Sequence, residues 1–185
     1  FDNGSDDDTW QYINDLAFMD TRFSPWYSPY KTIYEMWSMG FDFAVEDGAT
    51  QVAILNNDIA LSPGLIGAMR DVLQATSEVG IVYPDYNRSI EQGVDPQIPY
   101  YTRGTYRHGG MSGFCFMLRV HAVKWSPLVD PKLRLWYGDD DIAFQFEKEG
   151  WRQLRLSGWP IDHIGQATCN QHPEVFKDVP ADKAY

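Results

Sequence analysis

The chain has 185 residues, 44% of them hydrophobic and 15% aromatic, and its 15 Lys and Arg against 26 Asp and Glu give a net charge of −11. That length suits a single domain with a real hydrophobic core. The acidic balance with scattered cations argues against a nucleic-acid-wrapping surface, and no apolar run reaches the length of a membrane span.

Phe1 to Ser5 reads as the end of a strand and its turn. A helix is predicted to begin near Thr9, capped by Ser5 or by one of Asp6, Asp7 and Asp8. Trp10, Ile13, Leu16 and Ala17 then fall at helical spacing. Phe18 to Tyr30, broken by Pro25 and Pro29, reads as loop. A second helix is expected from Tyr30 to Asp47, with Ile33, Met36, Trp37, Gly40 and Ala44 on one stripe and Gly48 as its stop. Gln51 to Asn56 is a strand. Its run Val52-Ala53-Ile54-Leu55 is unbroken, which suits a strand covered on both faces, as in a parallel sheet. Ser62 and Pro63 read as the cap and first residue of a third helix that runs to about Ser77. Gly80 to Pro84 is another strand. Helix, strand, helix, strand is the order of a parallel sheet with crossover helices.

Asp85 to Ser112 is a long irregular segment, and loops of that length are functional or mobile. Gly113 to Val120 reads as a strand and His121 to Trp125 as one helical turn. Ser126 to Tyr137 is loop. Asp139 to Glu149 is a helix stopped by Gly150. Trp151 to Leu156 is a strand, and Trp159 to His163 is a short extended piece. The tail after Cys169 has no strong period. Cys115 and Cys169 make no disulfide framework and lack CxxC partners, which excludes zinc ribbons. Cys115, in an apolar run, reads as a buried thiol. With no visible signal peptide, a reduced, cytoplasmic setting is expected, peripheral to a membrane at most.

The residues able to carry chemistry are few. Asn56-Asn57-Asp58 follows the apolar strand, where open α/β sheets bind ligands, although the same triplet also suits a plain turn. Asp139, Asp140 and Asp141 open a helix, where the positive dipole end offsets part of their repulsion. Successive helical residues point about 100° apart, so at most one or two of the three face a given target. One such acid can serve as a general base; N-capping and a solvated face account for it equally well. His163 ends an extended piece and is a candidate metal ligand or a structural histidine. His108, His121 and His172 show no zinc-motif spacing. Trp and Tyr rings can stack on sugar faces, while most of them read as core residues with a polar tip.

Taken in order, these pieces resemble the GT-A glycosyltransferases, especially the inverting family 2. Asp2-Asn3-Gly4-Ser5 is similar to that family's DNGS-like turn, and Leu55-Asn56-Asn57-Asp58 to its variant of the DxD motif. Gly113-Phe114-Cys115-Phe116-Met117 is similar to the strand after the donor site. Gly138-Asp139-Asp140-Asp141 stands where the family has its ED motif, and His163 where many members have a metal-binding histidine. The resemblance spans roughly Phe1 to Thr168. It implies an α/β, Rossmann-like GT-A three-layer sandwich with a mostly parallel central sheet. Residues 1–185 would form one glycosyltransferase-like domain lacking its amino-terminal strand and helix.

The activity implied is transfer of a sugar from a nucleoside-diphosphate sugar to an acceptor hydroxyl, by metal-assisted direct displacement with inversion. Asp58 and His163 would hold Mn²⁺ or Mg²⁺, with the donor diphosphate completing the shell. Asn56 and Asn57 would touch ribose or phosphate. Asp2 would accept from the base, with Asn3 beside it. Asp139 would deprotonate the acceptor, or Asp140 if the alignment slips, since Gly138 replaces the family's Glu. Gly113, Phe114, Trp136, Tyr137 and Asp141 would face the acceptor, a carbohydrate or another hydroxyl compound. The Asp85–Ser112 loop, with Tyr100, Tyr101, Arg103, Tyr106, Arg107 and His108, is expected to order over the donor with Arg103 or Arg107 near phosphate. Two other functions fit the same residues: a catalytically silent nucleotide-sugar or sugar-binding module, and a metal-dependent hydrolase.

Overall fold

The computed structural model describes residues 1–29, 31–86, 89–94, 99–104 and 110–164. Tyr106, Arg107, His108, Cys169, His172 and the tail after Cys169 lie outside the described residues. The helices are α1 (Thr9–Met19), α2 (Ile33–Glu46), α3 (Leu65–Ala75) and α4 (Gly138–Lys148). The strands are β1 (Gln51–Leu55), β2 (Ile59–Leu61), β3 (Val79–Asp85), β4 (Tyr100–Thr102), β5 (Cys115–Arg119) and β6 (Arg152–His163). No helix among the described residues is long and apolar enough to cross a membrane.

The sheet runs in the order β1-β5-β3-β6-β2, with β4 also paired to β6. This overturns the mostly parallel Rossmann-like sheet expected from the sequence. Of five strand pairings, only β3 with β6 is parallel; the other four are antiparallel. β5 is inserted in reverse between β1 and β3, and the short β2 and β4 both run against β6. The unbroken run Val52-Ala53-Ile54-Leu55 lies in β1, which ends the sheet order among the described residues and leaves Leu55 43% exposed, so the run did not mark a strand covered on both faces.

Side-chain alternation explains why this sheet takes helices on two sides. Phe116 and Leu118 of β5 pack with α2 and α4, in a cluster holding Tyr34, Phe41, Ile142, Ala143 and Phe146. Their neighbours Cys115 and Met117 pack with Leu65, Met69 and Leu73 of α3. Burial on that side pushes the Cys115 thiol up to about 12, so the thiol is a packing group. In β6 a buried ion pair joins Arg155 to Asp85 at the end of β3.

Local capping differs from expectation at α3. Ser62 does not cap the helix; its hydroxyl donates to the Pro160 carbonyl at 2.5 Å. Gly64 occupies the cap position with φ 84, and the helix starts at Leu65. A left-handed residue there favours glycine, and Ser62 thereby ties the β2 side of the sheet to β6. α2 follows its sequence signal closely: Thr32 and Glu35 form a reciprocal capping box, a device that satisfies two otherwise unpaired N–H groups.

Candidate functional site

The chain leaves β1 at Leu55 and turns through Asn56-Asn57-Asp58 into β2. Two backbone links fix that turn. Asn56 N–H donates to the Phe114 carbonyl at 2.9 Å, and Ile164 N–H donates to the Asp58 carbonyl at 3.0 Å. The β2–β6 register, with Ile59 opposite His163, brings the end of β6 alongside the turn. As a result His163 Nε2 lies 3.2 Å from Asp58 Oδ1. That spacing suits an ion pair, yet the oxygen is buried and makes no hydrogen bond with correct geometry. Asn56 Oδ1 is also buried without a partner. Asn57 is exposed on the turn.

Among the described residues the Asp58 and Asn56 acceptors have no donor, and a buried acceptor left so costs about 1–3 kcal/mol, which a bound group or water would offset. The pair suits a divalent cation. Ligand atoms at roughly 2.0–2.2 Å from one ion, on adjacent octahedral or tetrahedral positions, stand about 3–3.5 Å apart. Among the described residues no group of three or more His, Cys, Asp or Glu side chains comes together. Asp58 and His163 are two such side chains, and a cation held there would need further ligands from substrate oxygens or water.

The acidic helix start contacts the residue that precedes Phe114. Gly113 N–H donates to Asp139 Oδ2 at 3.1 Å, and Asp140 N–H donates to Asp139 Oδ1 at 3.1 Å. Burial, and next the negative charge of Asp140, raise the Asp139 carboxyl above the usual carboxylate range. The Gly113–Phe114 dipeptide is therefore a hub. Its first N–H holds Asp139, its second carbonyl holds Asn56, and the Phe114 ring stacks on His163 with centroids 4.2 Å apart. Gly113 is required for this approach: a Cβ there would lie 2.9 Å from Asp139 Cβ and 3.1 Å from the Trp37 ring. Neither atom is the loose end of a flexible chain. Gly113→Ala should displace Asp139 and cost about 1–3 kcal/mol of stability, read as a lower denaturation midpoint; an unchanged midpoint would mean that the contact yields freely.

The other expected site residues divide. Asp2 is 2% exposed; Oδ1 accepts from the Ser5 N–H and hydroxyl at 2.9 and 2.7 Å, while Oδ2 is buried without a partner. Asn3 has a structural task, since its amide donates to the Lys31 carbonyl and accepts from the Lys31 N–H. Asp141 is buried and accepts from the Asp130 N–H at 2.8 Å. It anchors the loop before α4 and does not face the Asp139 carboxyl's surroundings at Gly113. Tyr137 caps α4 with φ 67, an uncommon conformation for a non-glycine residue. Trp136 beside it is 38% exposed.

Arg103 is not brought to Asp58. It follows Thr102, which pairs with Gln153 near the start of β6, whereas His163 ends that strand. Allowing for the irregularity between Leu156 and Pro160, the separation along the strand is about 20–25 Å. Arg103 instead lines a cavity with Tyr101, Glu147 and Arg152.

Trp37 was legible as part of the α2 stripe, whereas Tyr34 lies off that stripe and was not. The Tyr34 ring fills the space beside Gly138, where an added Cβ would sit 2.3 Å from a ring carbon. Its hydroxyl donates to the Leu135 carbonyl at 2.8 Å.

No family model matches this chain, and no curated protein matches it. Among solved structures it is similar to A197 from STIV, with a TM-score of 0.50 and 14% identity over 74% of this chain and 70% of that one. At that identity the likeness concerns the fold alone.

Proposed function

We propose that the chain is a glycosyltransferase that moves a sugar from a nucleoside-diphosphate sugar to an acceptor hydroxyl with inversion. The observation that supports this reading is that Asp139 and Asn56 bond the Gly113–Phe114 backbone while the Phe114 ring stacks on His163, which lies beside Asp58. Asp58 and His163 would hold a divalent cation. When bound, that ion supplies Lewis-acid stabilisation of the leaving diphosphate. Asn56 Oδ1 and Asp2 Oδ2, both buried acceptors without partners, receive hydroxyl or N–H groups of the donor. Asp139 takes the acceptor proton as the acceptor oxygen bonds the anomeric carbon and the bond to the diphosphate breaks. A carboxyl raised by burial is a better match to that task than an ordinary aspartate.

A melting panel of nucleotide sugars with and without Mn²⁺ tests this directly. At 100 times its dissociation constant a true donor adds about 2.7 kcal/mol, which raises Tm by roughly 5–10 °C for a chain of this size. The shift should require the metal and vanish in Asp58→Ala. If no nucleotide sugar moves the melting curve, the reading fails.

The silent binding module is favoured by one observation: the Tyr34 ring fills the space beside Gly138, the position of the missing Glu. Donor binding with neither transfer nor hydrolysis would select it. Turnover to free sugar with no acceptor preference would select the hydrolase.

A further inference from the structure

We infer that Phe114 is a positioning residue for the cation pair, its ring setting the His163 imidazole plane so that Nε2 and the Asp58 carboxylate face one ion. The inference rests on the metal-assisted reading above. The backbone at His163 is fixed by pairing to Ile59 and by the Ile164–Asp58 hydrogen bond. Those links leave the imidazole free to turn about its side-chain bonds. Among the described residues its ion-pair and ring partners are Asp58 and Phe114 alone. Asp58 Oδ1 does not form a well-aligned hydrogen bond to it, so that oxygen does not lock the ring.

Phe114 can. Its ring lies 4.2 Å from the imidazole centroid at 30°, and it is itself 8% exposed, packed into the α3-side core. Its carbonyl also fixes Asn56. One rigid residue thus sets both the turn that carries Asp58 and the ring of His163. Groups that orient a metal-ligating histidine typically change metal affinity by 10–100-fold when removed.

The test uses the full chain and Mn²⁺ alone, with free Mn²⁺ followed by electron paramagnetic resonance. Phe114→Leu keeps apolar volume and removes the ring; it should bind Mn²⁺ about tenfold more weakly. Phe114→Met is a second ringless variant, should Leu disturb the core. Phe114→Tyr should restore affinity to within about twofold of the parent, since it keeps the stack. A folded ringless variant with parental affinity overturns the inference. If His163→Ala loses Mn²⁺ while Phe114→Leu keeps it, the metal pair stands and only the role of Phe114 falls. If the parent binds no Mn²⁺, the metal reading falls with it.

Discussion

Replacing Asp139 with Asn should cut transfer by about 10²–10⁴-fold while leaving donor and Mn²⁺ binding near parental values. The Asn keeps the size of the side chain and one acceptor for the Gly113 N–H, but it cannot take a proton. Asp139 is raised above the usual carboxylate range by burial first and by the Asp140 charge second; the Gly113 and Asp140 N–H groups oppose that shift. A base works only when ionised, so transfer falls as pH drops through this raised value. The acid limb of the rate profile should thus lie above that of an ordinary aspartate. Asp140→Asn removes the like charge and should move the limb down. Stability carries the opposite sign. With its folded pKa above the unfolded one, Asp139 contributes stability that is full below the unfolded pKa and is lost as pH rises through the folded pKa. The parent should lose that increment over this interval, and Asp139→Asn should not. Asp139→Asn that transfers at the parental rate would remove Asp139 from the role. An unchanged pH slope of stability would remove burial as the cause.

Long periodic segments were legible because burial imposes their pattern. α2, α4, β1 and β5 follow apolar spacings that hold for many residues. Direction was not legible. Nothing in Gly113 to Val120 encodes that β5 runs against β1, because side-chain alternation is the same either way. β2 has only Ile59 to Leu61, too short for a period. β6 looked like two pieces because Ser157-Gly158-Trp159 interrupts the apolar run. Its pairing jumps there, from Leu156 against Pro84 to Pro160 against Asp85. The site shows the same division. Asp58, Asp139 and His163 stood out by residue type and order. The pairing of Asp58 with His163 depends on the β2–β6 register, and the place of Asp139 on the Gly113 approach, neither of which spacing along the chain contains. The place of Arg103 was not legible for a related reason: β4 pairs with the start of β6, away from His163 at its end.

Gly138→Glu should destabilise the fold by about 3 kcal/mol, lowering Tm by roughly 6–12 °C. The first added carbon would lie 2.3 Å from a Tyr34 ring carbon. Tyr34 cannot readily yield: it is 6% exposed, its hydroxyl is held by the Leu135 carbonyl, and its ring packs edge-on to Trp37. Trp37 in turn packs against Phe116 of β5. Glycine at position 138 is therefore set by α2, and the carboxylate of a Glu would add the cost of burial beside aromatic rings. Tyr34→Ala opens that space at its own cost. The two changes together should lose less than the sum of the single losses, with a coupling of about 1–3 kcal/mol; simple additivity would mean the ring is not what excludes a side chain. The same pair of variants separates the two functional readings. If Asp139 is the base, Gly138→Glu in the Tyr34→Ala background gains nothing in transfer over Tyr34→Ala alone. A gain would assign the proton to position 138 and make the parent a binding module whose acid was replaced by a ring.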